Sequence, residues 1–140
     1  MYVVIAGCGR VGSTLAKTLV AEGHDVAVVD DDPGSFELLG EDFAGRFVTG
    51  AAIDWDVLRE AGIEGADSFV AVTDGDNTNI VCAQIAQKGF EVKCVVARVY
   101  DPWRAELFGT TGIRVICPTR ESELAFERAV HACEAQAPGR

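Results

Sequence analysis

Tyr2-Val3-Val4-Ile5-Ala6-Gly7-Cys8-Gly9-Arg10-Val11-Gly12 runs an apolar stretch of strand composition straight into three spaced glycines, and a helical pattern with Leu15, Leu19 and Val20 follows. In such a turn the first glycine permits the tight strand-to-helix reversal, the second lets a diphosphate approach the backbone, and the third lets the helix sit close on the strand. The helix beyond offers free N–H groups and a positive dipole end to a phosphate. A second apolar run, Val26-Ala27-Val28-Val29, ends on Asp30. A carboxylate about twenty residues past the glycines, at the tip of the second strand, can accept both hydroxyls of a ribose. A glycine triplet alone is a weak signal and can be a purely structural turn. Here it follows a strand, opens a helix and precedes a correctly placed acid, which together describe a nucleotide site.

The same alternation continues outward. Pro33 opens a short helix carrying Phe36, Leu38 and Leu39, Arg46–Thr49 reads as a third strand ending at Gly50, and Asp54 caps a helix from Trp55 to Ala61 that stops at Gly62. Ser68–Val72 is a fourth strand, followed by Thr73-Asp74-Gly75-Asp76-Asn77 and a helix from Asn77 to Lys88. Lys93–Val99 is a fifth strand, Pro102 starts another helix, Arg114–Cys117 is the sixth strand, and a final helix begins near Thr119. Its apolar positions, Leu124, Phe126, Ala129, Val130 and Ala132, spread wider than one core-facing stripe. Strands and helices alternating in this way predict right-handed crossovers and an α/β fold, a doubly wound Rossmann sheet of six parallel strands in the order 3-2-1-4-5-6. Ligands then bind where the order reverses, between strands one and four. That brings the Gly7 loop beside the Thr73 loop. Residues 1–136 read as one domain and 137–140 as a frayed tail.

Composition narrows the function. A chain of 140 residues, 49% hydrophobic and 24% charged, suits one folded domain rather than a disordered segment. No apolar stretch approaches the roughly 18 residues of a spanning helix, and a strand rather than a signal peptide follows Met1, so a cytoplasmic protein is expected. The net charge of −10 argues against nucleic acid and leaves an anionic ligand dependent on local groups. Five cysteines show no CxxC pair, so neither zinc nor a disulfide framework is indicated. Cys82, Cys94, Cys117 and Cys133 read as small buried hydrophobes, whereas Cys8 falls in the phosphate loop.

Asp30-Asp31-Asp32 would repel a 2′-phosphate, favouring NAD, NADH, ATP, ADP or AMP over NADP. For Asp31 and Asp32 a role as helix N-terminal charge ahead of Pro33 is favoured over ligand contact. Arg10, in the first turn of the first helix, either grips a phosphate oxygen or stands in solvent. Thr73 and Asp74 either bond ribose or phosphate or cap the next helix, and Asn77 and Asn79 share that choice. His24 lies at the opposite end of the sheet and His131 on the last helix, so no catalytic constellation accompanies the site. Nothing points to a metal. A binding module is favoured over an enzyme, with an NAD-dependent oxidoreductase, or a fragment of one, as the alternative. A fold that has lost its ligand is the third reading.

Taken together, Gly7-Cys8-Gly9-Arg10-Val11-Gly12, Gly23-His24-Asp25-Val26, Asp30, Leu58-Arg59-Glu60-Ala61-Gly62-Ile63 before Ala66-Asp67, Ala71-Val72-Thr73-Asp74 with Asn79, and Ala97-Arg98-Val99 resemble the N-terminal nucleotide-binding domain of the RCK/KTN family, the TrkA-type regulators of potassium transport. The likeness covers nearly the whole chain. It implies a non-enzymatic domain that binds NAD(H) or adenine nucleotides and passes a change of shape or assembly to a membrane potassium transporter or channel at the inner face of the membrane. Carried over, Gly7, Gly9 and Gly12 with Cys8 and Val11 between them would cradle phosphates, Arg10 would grip the distal phosphate, and Asp30 with Asp31 would hold ribose. Thr73, Asp74 and Asn79 would line the opposite wall, and Arg98 would face the phosphates or a neighbouring subunit. A homodimer or ring of dimers is implied, with the last helix crossing the interface. One departure stands out: Gly50-Ala51-Ala52-Ile53-Asp54 replaces the family's usual Gly-Asp-Ala-Thr-Asp, so a carboxylate that would meet the adenine amino group is missing at Ala51. The family's smaller C-terminal lobe is not in this sequence, which fits a regulator without that lobe or the first domain of a longer chain. A strand directly after Met1 favours a separate subunit over the tail of a channel.

Overall fold

The structure, a computed structural model, describes residues 1–139. Six strands, β1 (Tyr2–Ala6), β2 (Asp25–Asp30), β3 (Arg46–Thr49), β4 (Ser68–Ala71), β5 (Cys94–Arg98) and β6 (Arg114–Ile116), form one sheet in the order β3-β2-β1-β4-β5-β6. Every neighbouring pair is parallel, and Ala6 at the tip of β1 lies opposite Val29 of β2 and Ala71 of β4. Val3 to Ala6 are all buried. A central parallel strand is covered on both faces, so it reads as a continuous apolar run rather than an alternation.

Successive side chains of β1 supply two cores. Val4 and Ala6 pack with Phe69, Leu58 and Ile63 on the face covered by α2 (Trp55–Glu60) and α3 (Asp76–Gln84). Val3 and Ile5 pack with Val28, Phe36 and Ala16 on the face covered by α1 (Arg10–Ala21). Each fully buried Leu, Ile or Phe contributes about 1.5–3 kcal/mol. The expected cap forms, Asp54 accepting from the N–H groups of Asp56 and Val57 at 2.8 and 3.4 Å to start α2, and Asp101 ahead of Pro102 likewise accepts from Trp103 at 3.1 Å to start α4 (Pro102–Phe108).

Four local features depart from the expected pattern. Pro33–Leu39 is a 3-10 rather than an α-helix. The helix expected to run to Lys88 ends at Gln84 and is followed by a π turn, Ile85–Gly89. That wider turn sets Gly89 against the Trp55 indole, where a Cβ would fall 2.6 Å from the ring, and lets Phe90 pack on Trp55 at 4.9 Å between centroids. Cys82 and Cys117 are buried, but Cys94 is only half-buried and Cys133 is exposed. Cys133 lies on α5 (Pro118–Gln136), and that helix buries no residue at all. Among the described residues no helix is long and apolar enough to cross a membrane.

Candidate functional site

The carboxyl ends of β1, β2, β3 and β4 surround an open cleft of about 490 Å³. Its floor is the glycine turn, where the three glycines do three different things. Gly7 has φ +107°, and a Cβ there would fall 2.7 Å from the Val72 carbonyl oxygen, so this residue lets the turns after β1 and β4 approach each other. A Cβ on Gly12 would fall 1.9 Å from the Gly7 carbonyl oxygen, so only glycine lets α1 start this close to the strand. A Cβ on Gly9 would meet nothing within 4 Å. Gly9 faces the cleft as the N-cap of α1 without a capping side chain. The first-turn amides of a helix have no intrahelical partner, and here they point where an anion would sit.

Asp30 closes the near side. Its Oδ2 accepts from the Cys8 amide at 2.8 Å and its Oδ1 from the Asp32 amide at 2.9 Å, tying the β2 tip to the glycine turn. An ionised carboxylate has about four acceptor positions, so two remain for a ribose diol. Asp31, Asp32 and Asp74 also line the cleft, and among the described residues no Lys or Arg does. Arg10 is exposed at the first position of α1, outside that lining, as is Val11. The Cys8 thiol is buried and donates to the Ser35 carbonyl at 3.3 Å. Burial first, then the Asp30 charge, push its pKa up to about 11, so it stays protonated near neutrality while its backbone serves the loop.

Thr73, Asp74, Gly75 and Thr78 form the far wall. Asn79 and Arg98 do not reach it, contrary to the sequence expectation. Asn79 is fully buried: its Oδ1 accepts from Thr73 N and Oγ1 at 2.8 and 2.6 Å, and its Nδ2 donates to the Thr73 and Arg98 carbonyls, both at 3.0 Å. Arg98 Nη2 donates to the Val72 and Thr73 carbonyls at 2.9 and 3.0 Å, and its guanidinium lies 5.0 Å from the Tyr100 ring centroid. Both side chains therefore hold the wall from behind. His24 Nδ1 lies 3.3 Å from the amine of Met1, and His131 lies beside Glu127 and Glu134 on α5. Neither histidine lines the cleft. Among the described residues no cluster of His, Cys, Asp or Glu is arranged to hold a metal.

Residues 3–118 match the family model described as the TrkA-N domain. The chain belongs to the TrkA-N domain family. It is 54% identical over 120 residues to the Trk system potassium uptake protein TrkA of Streptomyces coelicolor, covering 86% of this chain and 54% of that protein. It thus spans about half the length of that relative. Among solved structures, the AMP-bound Kef C-terminal domain of Shewanella denitrificans superposes with a TM-score of 0.79 at 24% identity, covering 99% of this chain and 84% of that one. The GsuK channel bound to NAD superposes with a TM-score of 0.70 at 24% identity, covering 84% of this chain and 21% of that one. At such identities the structural likeness concerns the fold.

In this TrkA-N domain the cleft also contains residues that sequence reasoning did not assign to it. Ser35 and Thr78 line it, as do Gly50, Ala52 and Ile53 around Ala51, the one position of that wall the resemblance had already set toward the adenine. The position of 50–53 directly after a strand tip was the available signal, because every loop at the carboxyl edge of this sheet faces the switch point. Ala51 stands in that wall, so no carboxylate is presented there.

Proposed function

We propose that this TrkA-N domain, residues 1–136, is a nucleotide-sensing regulatory element of potassium transport that performs no chemistry on its ligand. The observation that carries the reading is the pairing of an open helix N-terminus at Gly9 with the Asp30 carboxylate across one cleft, and no histidine in its lining. The names of its relatives as potassium uptake proteins and the AMP and NAD bound by its structural neighbours support it. The ligand class is NAD(H) or an adenine nucleotide such as AMP, ADP or ATP. The α1 amides and Gly7, Gly9 and Gly12 take the phosphates, Asp30 with Asp31 takes the ribose, and Thr73 with Asp74 faces the second half of the ligand. With no cation in the lining, Arg10 at the head of α1 is the side chain placed to swing onto a distal phosphate. The partner is a membrane potassium transporter or channel engaged from the cytoplasmic side, and a second copy of the chain covers α5.

Calorimetric titration with NADH, NAD, ATP, ADP, AMP and NADPH tests the ligand class. Binding of at least one without turnover is the expected result. Hydride transfer to a small substrate would replace the reading with an oxidoreductase. In cells, loss of the protein is expected to impair growth at low external potassium.

A further inference from the structure

Five side chains cross-link the turn after β4 and the head of α3 to the turn after β5 and the head of α4. Arg98 donates to the Val72 and Thr73 carbonyls, and Asn79 joins Thr73 to the Arg98 carbonyl. From the opposite side, Asp76 accepts from the Tyr100 amide on Oδ1 at 2.8 Å and from the Asp101 amide on Oδ2 at 3.0 Å. Arg104 Nη1 completes the set on Asn77 Oδ1 at 2.7 Å. One end of this clasp is therefore the cleft wall at Thr73. The other end meets the head of α5: the Val99 amide donates to the Ile116 carbonyl at 3.0 Å, and the Cys117 thiol lies 3.5 Å from the Tyr100 carbonyl oxygen. The near wall, Gly50 to Ile53, makes no side-chain bond to either turn among the described residues.

We infer that this clasp carries occupancy of the cleft to α5, with Asp76, Asn79 and Arg98 as positioning residues; the inference rests on the nucleotide reading of the cleft. A ligand displacing Val72 to Gly75 has to move the two carbonyls that hold Arg98 and the amide that Asn79 holds. Residues 98–101, bonded to the same side chains, move with them. The clasp is also not fully satisfied, because Arg98 Nε is buried with no acceptor among the described residues. An unpaired buried donor is unfavourable, so an arrangement of the clasp that pairs it is the second state the inference requires. Coupling needs such a two-state element biased from both ends.

Hydrogen exchange on the whole chain, with and without NADH, tests this. In the wild type NADH is expected to change protection at 73–75 and also at 99–103 and 117–124. Asp76→Ala removes two bonds of the clasp from a side chain outside the cleft lining. It should bind NADH within about threefold of the wild type while the change at 99–103 and 117–124 falls at least about threefold. Arg98→Met should do the same from the other side. An undiminished change at 117–124 in both variants overturns the inference. If no nucleotide binds the wild type, the functional reading fails and the clasp is judged without ligand. Faster exchange at both 73–75 and 117–120 in Asp76→Ala then supports the clasp as a link, and a rise confined to 100–101 overturns it.

Discussion

The two halves of this sheet are finished differently. At the β1–β2 corner the apolar residues are buried, Asp30 bonds two loop amides, and the glycine turn leaves no room for a single added Cβ at Gly7 or Gly12. At the β6 edge α5 buries nothing, and Leu124, Phe126 and Val130 are 45%, 73% and 59% exposed. Large apolar side chains left exposed on one helix are where the proposed second copy would pack. The corner is complete within one chain. The edge leaves these side chains uncovered, so under the proposed function ligand recognition and assembly would be separable properties of one small domain.

That separation can be broken first at the glycines. Gly12→Ala drives a Cβ into the Gly7 carbonyl and is expected to destabilise the fold by about 3 kcal/mol, because a backbone atom cannot yield as a side chain can. Gly9→Ala meets open space, so its thermal melt should stay within about 1 kcal/mol of the wild type while nucleotide affinity falls. Equal destabilisation by the two would remove the division of labour assigned to this turn. Asp30→Ala comes next: it unpairs the Cys8 and Asp32 amides and is expected to cost about 1–3 kcal/mol of stability as well as tenfold or more in NADH affinity. The wild type should prefer NADH over NADPH by at least about tenfold, since a 2′-phosphate would sit among carboxylates, and calorimetry showing equal affinities would dismiss Asp30 as the ribose anchor.

At the open edge the sign of the experiment reverses. Phe126→Glu is expected to change the folding free energy of the isolated chain by no more than about 0.5 kcal/mol, because the side chain is exposed. It should nevertheless shift sedimentation from dimer to monomer, and a wild type that sediments as a monomer at every concentration would leave α5 without its second copy. The smallest effect at neutral pH concerns the thiols. Burial raises Cys8 to about 11 and Cys82 to about 12 from an ordinary 9.0, so iodoacetamide at pH 8 should label exposed Cys133 and spare both until the chain unfolds. The folded state then holds more protons than the unfolded chain above pH 9. Stability contributed by these groups is unchanged below that point and declines as pH rises through 9 toward 11.

Periodicity and composition made the sheet legible. Val3 to Ala6 and Val26 to Val29 are apolar at every position because both faces are covered, and that pattern survives any detail of packing. Asp54 was readable as a cap for the same reason: a cap acts on its own neighbours in sequence. Asn79, Arg98 and Asp76 were not readable. Each is a polar residue near a strand tip, and whether it turns to the cleft or to the adjacent turn depends on how close β4 and β5 bring their loops, a distance that no local pattern encodes. The π turn at Ile85–Gly89 escaped similarly, since the ring it sets Gly89 against, Trp55, lies some thirty residues away in the chain.

An α-helix of 19 residues with nothing buried has little to hold it beyond its own backbone. Helices shorter than about 12–15 residues are marginal alone in water and somewhat longer ones are only modestly better, so most helical stability in proteins comes from packing. For α5 the consequence is kinetic as well as thermodynamic. If the proposed second copy covers α5, its order is tied to encounter: dilution should lower its helicity while the sheet stays intact, and meeting a partner becomes a folding event for that segment. Recruitment would then carry the entropy cost of ordering the helix, which makes association slow to tighten and easy to reverse.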